Sequence, residues 1–168
     1  MALNLMKSGH SVAKWLLCEV RDALKSYSRD PITRAYVATG AVAWDDCCGM
    51  LVVTPETVYR SIAFPSENGN EEFCYAGEIA MNLNVLLMRC VPVMDNQGRP
   101  PSAASLDAAY EKLLVDSSVI WNAITLAELP ENWERAGVRQ TFVGADGGCI
   151  GVETRLSLGI AQKDWKLK

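Results

Sequence analysis

The sequence predicts an α+β protein, a mostly antiparallel sheet with two amphipathic helices packed on one face. Three observations carry this reading. First, in Gly77–Val91 the odd positions Ile79, Met81, Leu83, Val85, Leu87 and Val91 are apolar, with Arg89 the one exception. The even positions mix Ala80, Asn82, Asn84, Leu86, Met88 and Cys90, which is the period of a strand with one face on a core. A helix would scatter Asn82 and Asn84 off any single polar stripe. Second, Ile150, Val152, Thr154, Leu156, Leu158 and Ile160 alternate with Gly151, Glu153, Arg155, Ser157 and Gly159 behind a glycine-rich turn, the pattern of a final hairpin. Third, two segments place their apolar residues at helical spacing.

Taken in order, residues 1–10 carry no persuasive pattern and read as a flexible N-terminus. Ser11 caps an expected helix over 11–27, with an apolar face of Val12, Leu16, Val20, Ala23 and Leu24. Pro31 resists its continuation. The stretch Pro31–Cys48 fits either a short irregular strand or an extended loop packed by Tyr36, Val37, Val42 and Trp44. Met50–Phe64 reads as one strand with a break at Pro55. The polar loop Pro65–Glu72 then leads to an antiparallel pairing with the Gly77 strand. That strand is far longer than the usual roughly five or six residues, so it is expected to overrun its core or to bend. A turn at Asp95–Pro101 ends it, and Ser102 or Ser105 caps the second helix. Leu106, Tyr110, Leu113, Leu114, Ile120, Trp121 and Ile124 form its expected apolar face, with Asp107, Glu111, Lys112 and Asp116 mostly opposite. Val138–Val143 is the next strand, and Gly144–Gly148 a tight turn into the last. The main domain therefore spans 11–161, followed by a polar C-terminal tail at 162–168.

With 168 residues and no compositional break, a single domain is expected. A net charge of −4 without a Lys/Arg cluster argues against a grip on nucleic acid. The apolar run Trp15-Leu16-Leu17 is short and is followed by Glu19, Arg21 and Asp22, so no secretory signal is expected. No stretch reaches the roughly 20 apolar residues of a membrane span. Six cysteines are many for this length. In a reducing cytosol, free buried thiols are the simplest state, and a disulfide among the core cysteines is the alternative outside a cell.

Catalysis needs convergent groups, and the sequence offers few. Cys149, in Gly147-Gly148-Cys149-Ile150-Gly151, would need a base, and His10 is the sole imidazole. Asp45-Asp46 lacks a third carboxylate for a cation, there is no C-x-x-C pair, and GADGG lacks the lysine and the strand-to-helix context of a phosphate loop. Trp15 and Trp121 fall on amphipathic helices, where a core or interface role is commoner than a ligand box. No catalytic, cofactor-binding or metal-binding residue is expected.

The order of segments adds a resemblance. Ala35-Tyr36-Val37, the run Gly40–Val53, the strand end Arg89-Cys90-Val91-Pro92, a helix behind a Pro- and Ser-rich turn, and the Gly147–Gly151 hairpin resemble the neck and tail-completion proteins of long-tailed phages that infect actinobacteria. The similarity covers residues 11–160, and within that group it is greatest to tail terminators. It implies a structural virion protein made in the host cytoplasm, forming a hexameric ring that caps the tail tube, stops its polymerisation and meets the head-side connector. DNA would traverse the channel without sequence-specific binding. The resemblance carries over no catalytic residues. A head-to-tail stopper is the alternative in the same class, and a small cysteine-dependent enzyme built on Cys149 the alternative outside it. The loops Pro65–Glu72 and Asp95–Pro101 are the expected contacts to tube or connector.

Overall fold

The computed structural model describes residues 2–27, 30–43, 48–61, 63–66, 78–129 and 133–160. The elements run α1 (Ala2–Tyr27), β1 (Arg34–Val37), β2 (Met50–Ser61), β3 (Glu78–Cys90), α2 (Ala103–Leu126), β4 (Trp133–Asp146) and β5 (Cys149–Ile160). The strands form one sheet in the order β1-β2-β3-β5-β4, in which only β1 and β2 run parallel. This is the α+β architecture that the alternation predicts, with β3 at its centre.

Both helices lie on one face. Val12, Leu16, Val20 and Leu24 of α1 and Leu113, Ile120 and Ile124 of α2 pack against Leu51, Val53, Leu83, Val85, Leu87, Val152, Leu156 and Leu158 of the sheet. Helix α1 covers β1 and β2, and α2 covers β5 and β4. Helix α1 starts at Ala2, well before the expected cap at Ser11. The entry turns include Gly9, a poor helix former that here has a packing reason. It is buried, and a Cβ on it would collide with the Met81 side chain of β3.

The described part of Pro31–Cys48 contains a four-residue strand, β1, in register Arg34↔Met50 to Val37↔Val53. Gly49 bends the chain into β2 with φ 73°, and a Cβ there would stand 2.5 Å from the Pro31 carbonyl oxygen. Because β1 covers only Met50–Val53, Pro55 lies where no described strand flanks β2 on its outer side, and its missing N–H is not needed there. The register shift between Pro55 and Thr57 is the expected break. Pro65 and Ser66 are the described part of the loop Pro65–Glu72, whose remainder lies outside the described residues.

Ser102 is the cap of α2, its hydroxyl accepting from the Ser105 amide at 3.1 Å. The buried stripe of α2 is Leu113, Asp116, Ser117, Ile120 and Ile124. Of the expected apolar face, Tyr110, Leu114 and Trp121 instead stand 42%, 55% and 40% exposed, while Asp116, expected outside, is 3% exposed. Strand β4 is longer at both ends than Val138–Val143. As an edge strand with an exposed side, it needs no clean alternation. The turn into β5 is only Gly147-Gly148, with φ 56° and 81°, the pair of positive values a two-residue type I′ hairpin requires.

Candidate interaction surfaces

On the helix-covered face, one charge set within an apolar strand dictates the register of α2. Arg89 follows the inward parity of β3 and is 6% exposed, and an isolated buried guanidinium is costly. Asp116 answers it, with Nε to Oδ2 at 2.8 Å, and the Pro31 carbonyl accepts from the same side chain at 3.0 Å. At the next residue of α2, the Ser117 hydroxyl donates to Gln140 Oε1 at 2.8 Å. Gln140 Nε2 returns bonds to the Ser117 carbonyl and the Thr154 hydroxyl, each at 3.0 Å. At the end of α2, Arg135 donates to the carbonyls of Thr125 and Ala127, a cation placed where a helix leaves its last acceptors. Burial draws the Arg135 guanidinium below its ordinary pKa. These groups hold α2 to the sheet. Arg89, Asp116, Ser117 and Thr154 are buried, whereas Gln140 and Arg135 are half-buried.

The residues flagged for chemistry do not converge. Cys149 is 4% exposed and disulfide-bonded, and it packs with Met50, Val52, Leu86 and Met88 on the face away from the helices. His10 is an exposed residue of α1, on the helix side. Its neighbour Gly9 meets Met81, whereas Cys149 pairs with Cys90, so about 30 Å of strand separates the two ends. Asp45, Asp46 and Trp44 lie outside the described residues. Among the described residues, no group of three or more His, Cys, Asp or Glu side chains could hold a metal ion. No helix among them is long and apolar enough to cross a membrane.

The second face divides into two parts. At the end near the β4–β5 turn, the small apolar cluster of Met50, Val52, Leu86, Met88 and Cys149 is covered by Ala38 and Val42 from the link between β1 and β2. A disulfide between the exposed Cys48 and Cys90, with Cα atoms 4.8 Å apart, ties that link to β3. Cys18, on α1, is a free thiol. The cysteines are thus partly paired, and the state expected for a reducing cytosol does not describe Cys48, Cys90 or Cys149.

The other part of this face is polar and open. Ser157 donates to Asn82 Oδ1 at 2.9 Å, and Asn82 Nδ2 donates to the Thr57 hydroxyl at 2.9 Å, a rail across β5, β3 and β2. Gly137 stands opposite Ser157, and a Cβ on it would meet nothing within 4 Å, which leaves a shallow cleft there. One step along, Arg139 and Arg155 are directly opposite each other. Arg155 reaches Glu56 at 3.5 Å, and Arg139 has no ion-pair partner among the described residues. Like charges opposite each other in a ladder are unfavourable unless something bridges them.

The turn at Asp95–Pro101 is organised by one carboxylate. Asp95 accepts from the amides of Arg99 at 3.0 Å and Gln97 at 2.8 Å and from Arg99 Nε at 2.7 Å. The Arg99 amide and then its side chain hold the Asp95 carboxyl below the usual aspartate range.

The alternation sets Asn82 and Asn84 of β3 and Glu153, Arg155 and Ser157 of β5 on the second side, and Arg89, at an odd position, on the covered one. Sequence reasoning passes over Arg139 and Glu56, which join the cleft only once β2, β3, β5 and β4 are set side by side. Comparison with protein-family models and with curated proteins finds no match to this chain.

Proposed function

We propose that the protein is a structural subunit of a phage virion, a tail terminator that forms a ring on the finished tail tube, stops its polymerisation and meets the head-side connector. The observation that carries this reading is the asymmetry of the sheet. One face is covered by two helices, whereas part of the other presents a polar surface with a shallow cleft. No strand among the described residues pairs with the outer side of β4 or of β1, a layout suited to packing against sibling copies and stacked partners. Heterologous contacts of this kind close into a ring when the rotation allows. The net charge of −4 per subunit suits a channel through which DNA slides without sticking. The motif order over residues 11–160 supports the same class.

Particles assembled without the protein provide the test. Overlong tails establish the terminator, and tailless heads that leak DNA establish a stopper instead. Normal particles, or a purified chain that turns over a substrate as a monomer, overturn both. A mass near six subunits on isolated tails is the expected stoichiometry.

A further inference from the structure

The open edge of β4 has different chemistry on its two sides. Between its register shifts, β4 pairs regularly with β5 from Gly137 to Val143, a length typical of a strand, and nothing among the described residues pairs with its outer side. On the second face this stretch presents Arg139, without an ion-pair partner among the described residues and directly opposite Arg155. On the helix face it presents Phe142, 51% exposed.

Above that side, the outer flank of α2 adds Tyr110, Leu114 and Trp121. Their spacing puts them on one line of the helix. The α2 residues that border α1, among them Lys112, Val119 and Ala123, lie on the opposite flank. Since α1 covers β1 and β2 while α2 covers β5 and β4, the Tyr110–Leu114–Trp121 line faces the β4 edge. Three aromatics and a leucine exposed together are the composition of an interface centre, not of ordinary solvated surface.

A strand added to an edge sends alternate side chains to opposite faces of the sheet. Beside β4, those side chains would meet two guanidiniums on one face and an aromatic-rich wall on the other. We propose that the β4 edge docks an extended strand of another polypeptide in which acidic residues alternate with large apolar ones. The acidic set lies against Arg139 and Arg155, offsetting their mutual repulsion, and the apolar set packs under Trp121 and against Phe142.

The described edges of this chain do not supply such a strand. The β1 edge reads Arg-Ala-Tyr-Val without an acid, and a β4-to-β4 pairing would bring the arginines of two copies to the same face. Among the described residues no edge complements the arginines, so charge complementarity commits the proposal to a different protein as the occupant, and the inference stands whether or not the chain is a virion subunit.

The test uses the full chain and two fluorescein-labelled nine-residue peptides, one alternating Glu with Phe and Val, the other with Lys in place of each Glu. Saturable binding of the acidic peptide is expected, at least tenfold tighter than the lysine peptide, with slowed amide exchange confined to residues 137–143 of the chain. Arg139→Glu should weaken the acidic peptide tenfold or more and raise affinity for the lysine peptide. Arg139→Gln, a milder change that keeps the fold intact should the glutamate disturb it, should weaken the acidic peptide alone. Trp121→Ala should weaken both. Equal binding of the two peptides, protection outside β4, or no saturable binding overturns the proposal. So does amide protection of β4 that grows with chain concentration alongside a dimer in sedimentation, because a sibling copy would then hold the edge.

Discussion

The two faces of the sheet carry similar strands and solve different problems. On the helix side, the two polar side chains that enter the middle of the layer are matched inside the protein: Arg89 by Asp116, and Gln140 by Ser117 and Thr154. On the far side, the polar groups form a rail along the surface, and Arg139 has no ion-pair partner among the described residues. Burial explains the contrast. An unmatched charge under α2 would cost several kcal/mol, whereas water solvates the same group on the open face at little cost. An unmatched charge is tolerated at least cost where solvent or a partner meets it, which on this sheet is the far face.

Removing a partner on each face sharpens this contrast, and the covered face should respond most. Asp116→Ala strands the Arg89 guanidinium in the core and should cost about 3–5 kcal/mol in urea unfolding. Replacing both residues by leucine should recover much of that loss, because a well-packed apolar pair avoids the desolvation penalty. A single-mutant loss under about 1 kcal/mol would mean that the pair behaves like a surface bridge, and the distinction between the faces would fail.

Next in size is the disulfide end of the open face. Cys48 and Cys90 are 42 residues apart in sequence, and closing a loop of that length restricts the unfolded chain by about 4 kcal/mol in the chain-entropy picture. Cys48→Ser should lower stability by about 2–4 kcal/mol under non-reducing conditions. Cys90→Ser should match it, and the double variant should be no worse than either. If each single variant keeps the parent urea midpoint, the bond is not a source of stability and the Ala38–Val42 cover holds by packing alone.

How much of this was legible in sequence follows from the same contrast. The central strand could be read because its inward parity is apolar at every position but Arg89, and the last strand because its alternation is clean. Arg89 itself was a signal, since a charge at a core parity requires a buried acid elsewhere. Nothing local identified Asp116 as that acid. In α2 the run Leu113-Leu114-Val115 lets several helical faces look apolar, so Tyr110, Leu114 and Trp121 were assigned inward and Asp116 outward. The start of α1 was obscured by Gly9, whose reason is a contact with Met81 far along the chain. The length of β4 was obscured by its edge position, and the pairing of Cys48 with Cys90 has no local signature. The Arg139–Arg155 cleft depends on strand order, which periodicity does not encode.

The smaller predictions concern the open surface, where loss should be mild. Asn82→Ala removes the bonds to Thr57 and Ser157 and should cost about 0.5–1.5 kcal/mol, the net value of exchanging such bonds for water. A loss of about 3 kcal/mol or more would place the rail in the core and erase the distinction drawn above. The least effect should come from the Asp95 turn. Its carboxylate is stabilised in the folded chain by the Arg99 amide and side chain, so its pKa lies below the unfolded value. The contribution is therefore complete above the ordinary aspartate range and fades as pH falls through the depressed folded value. An acid titration followed by NMR should show the Gln97 and Arg99 amides shifting together at a pH below that of a free aspartate, with the β3 amides unmoved. Asp95→Asn should abolish that transition, and a midpoint at or above the free-aspartate value would show that the turn does not hold the carboxylate.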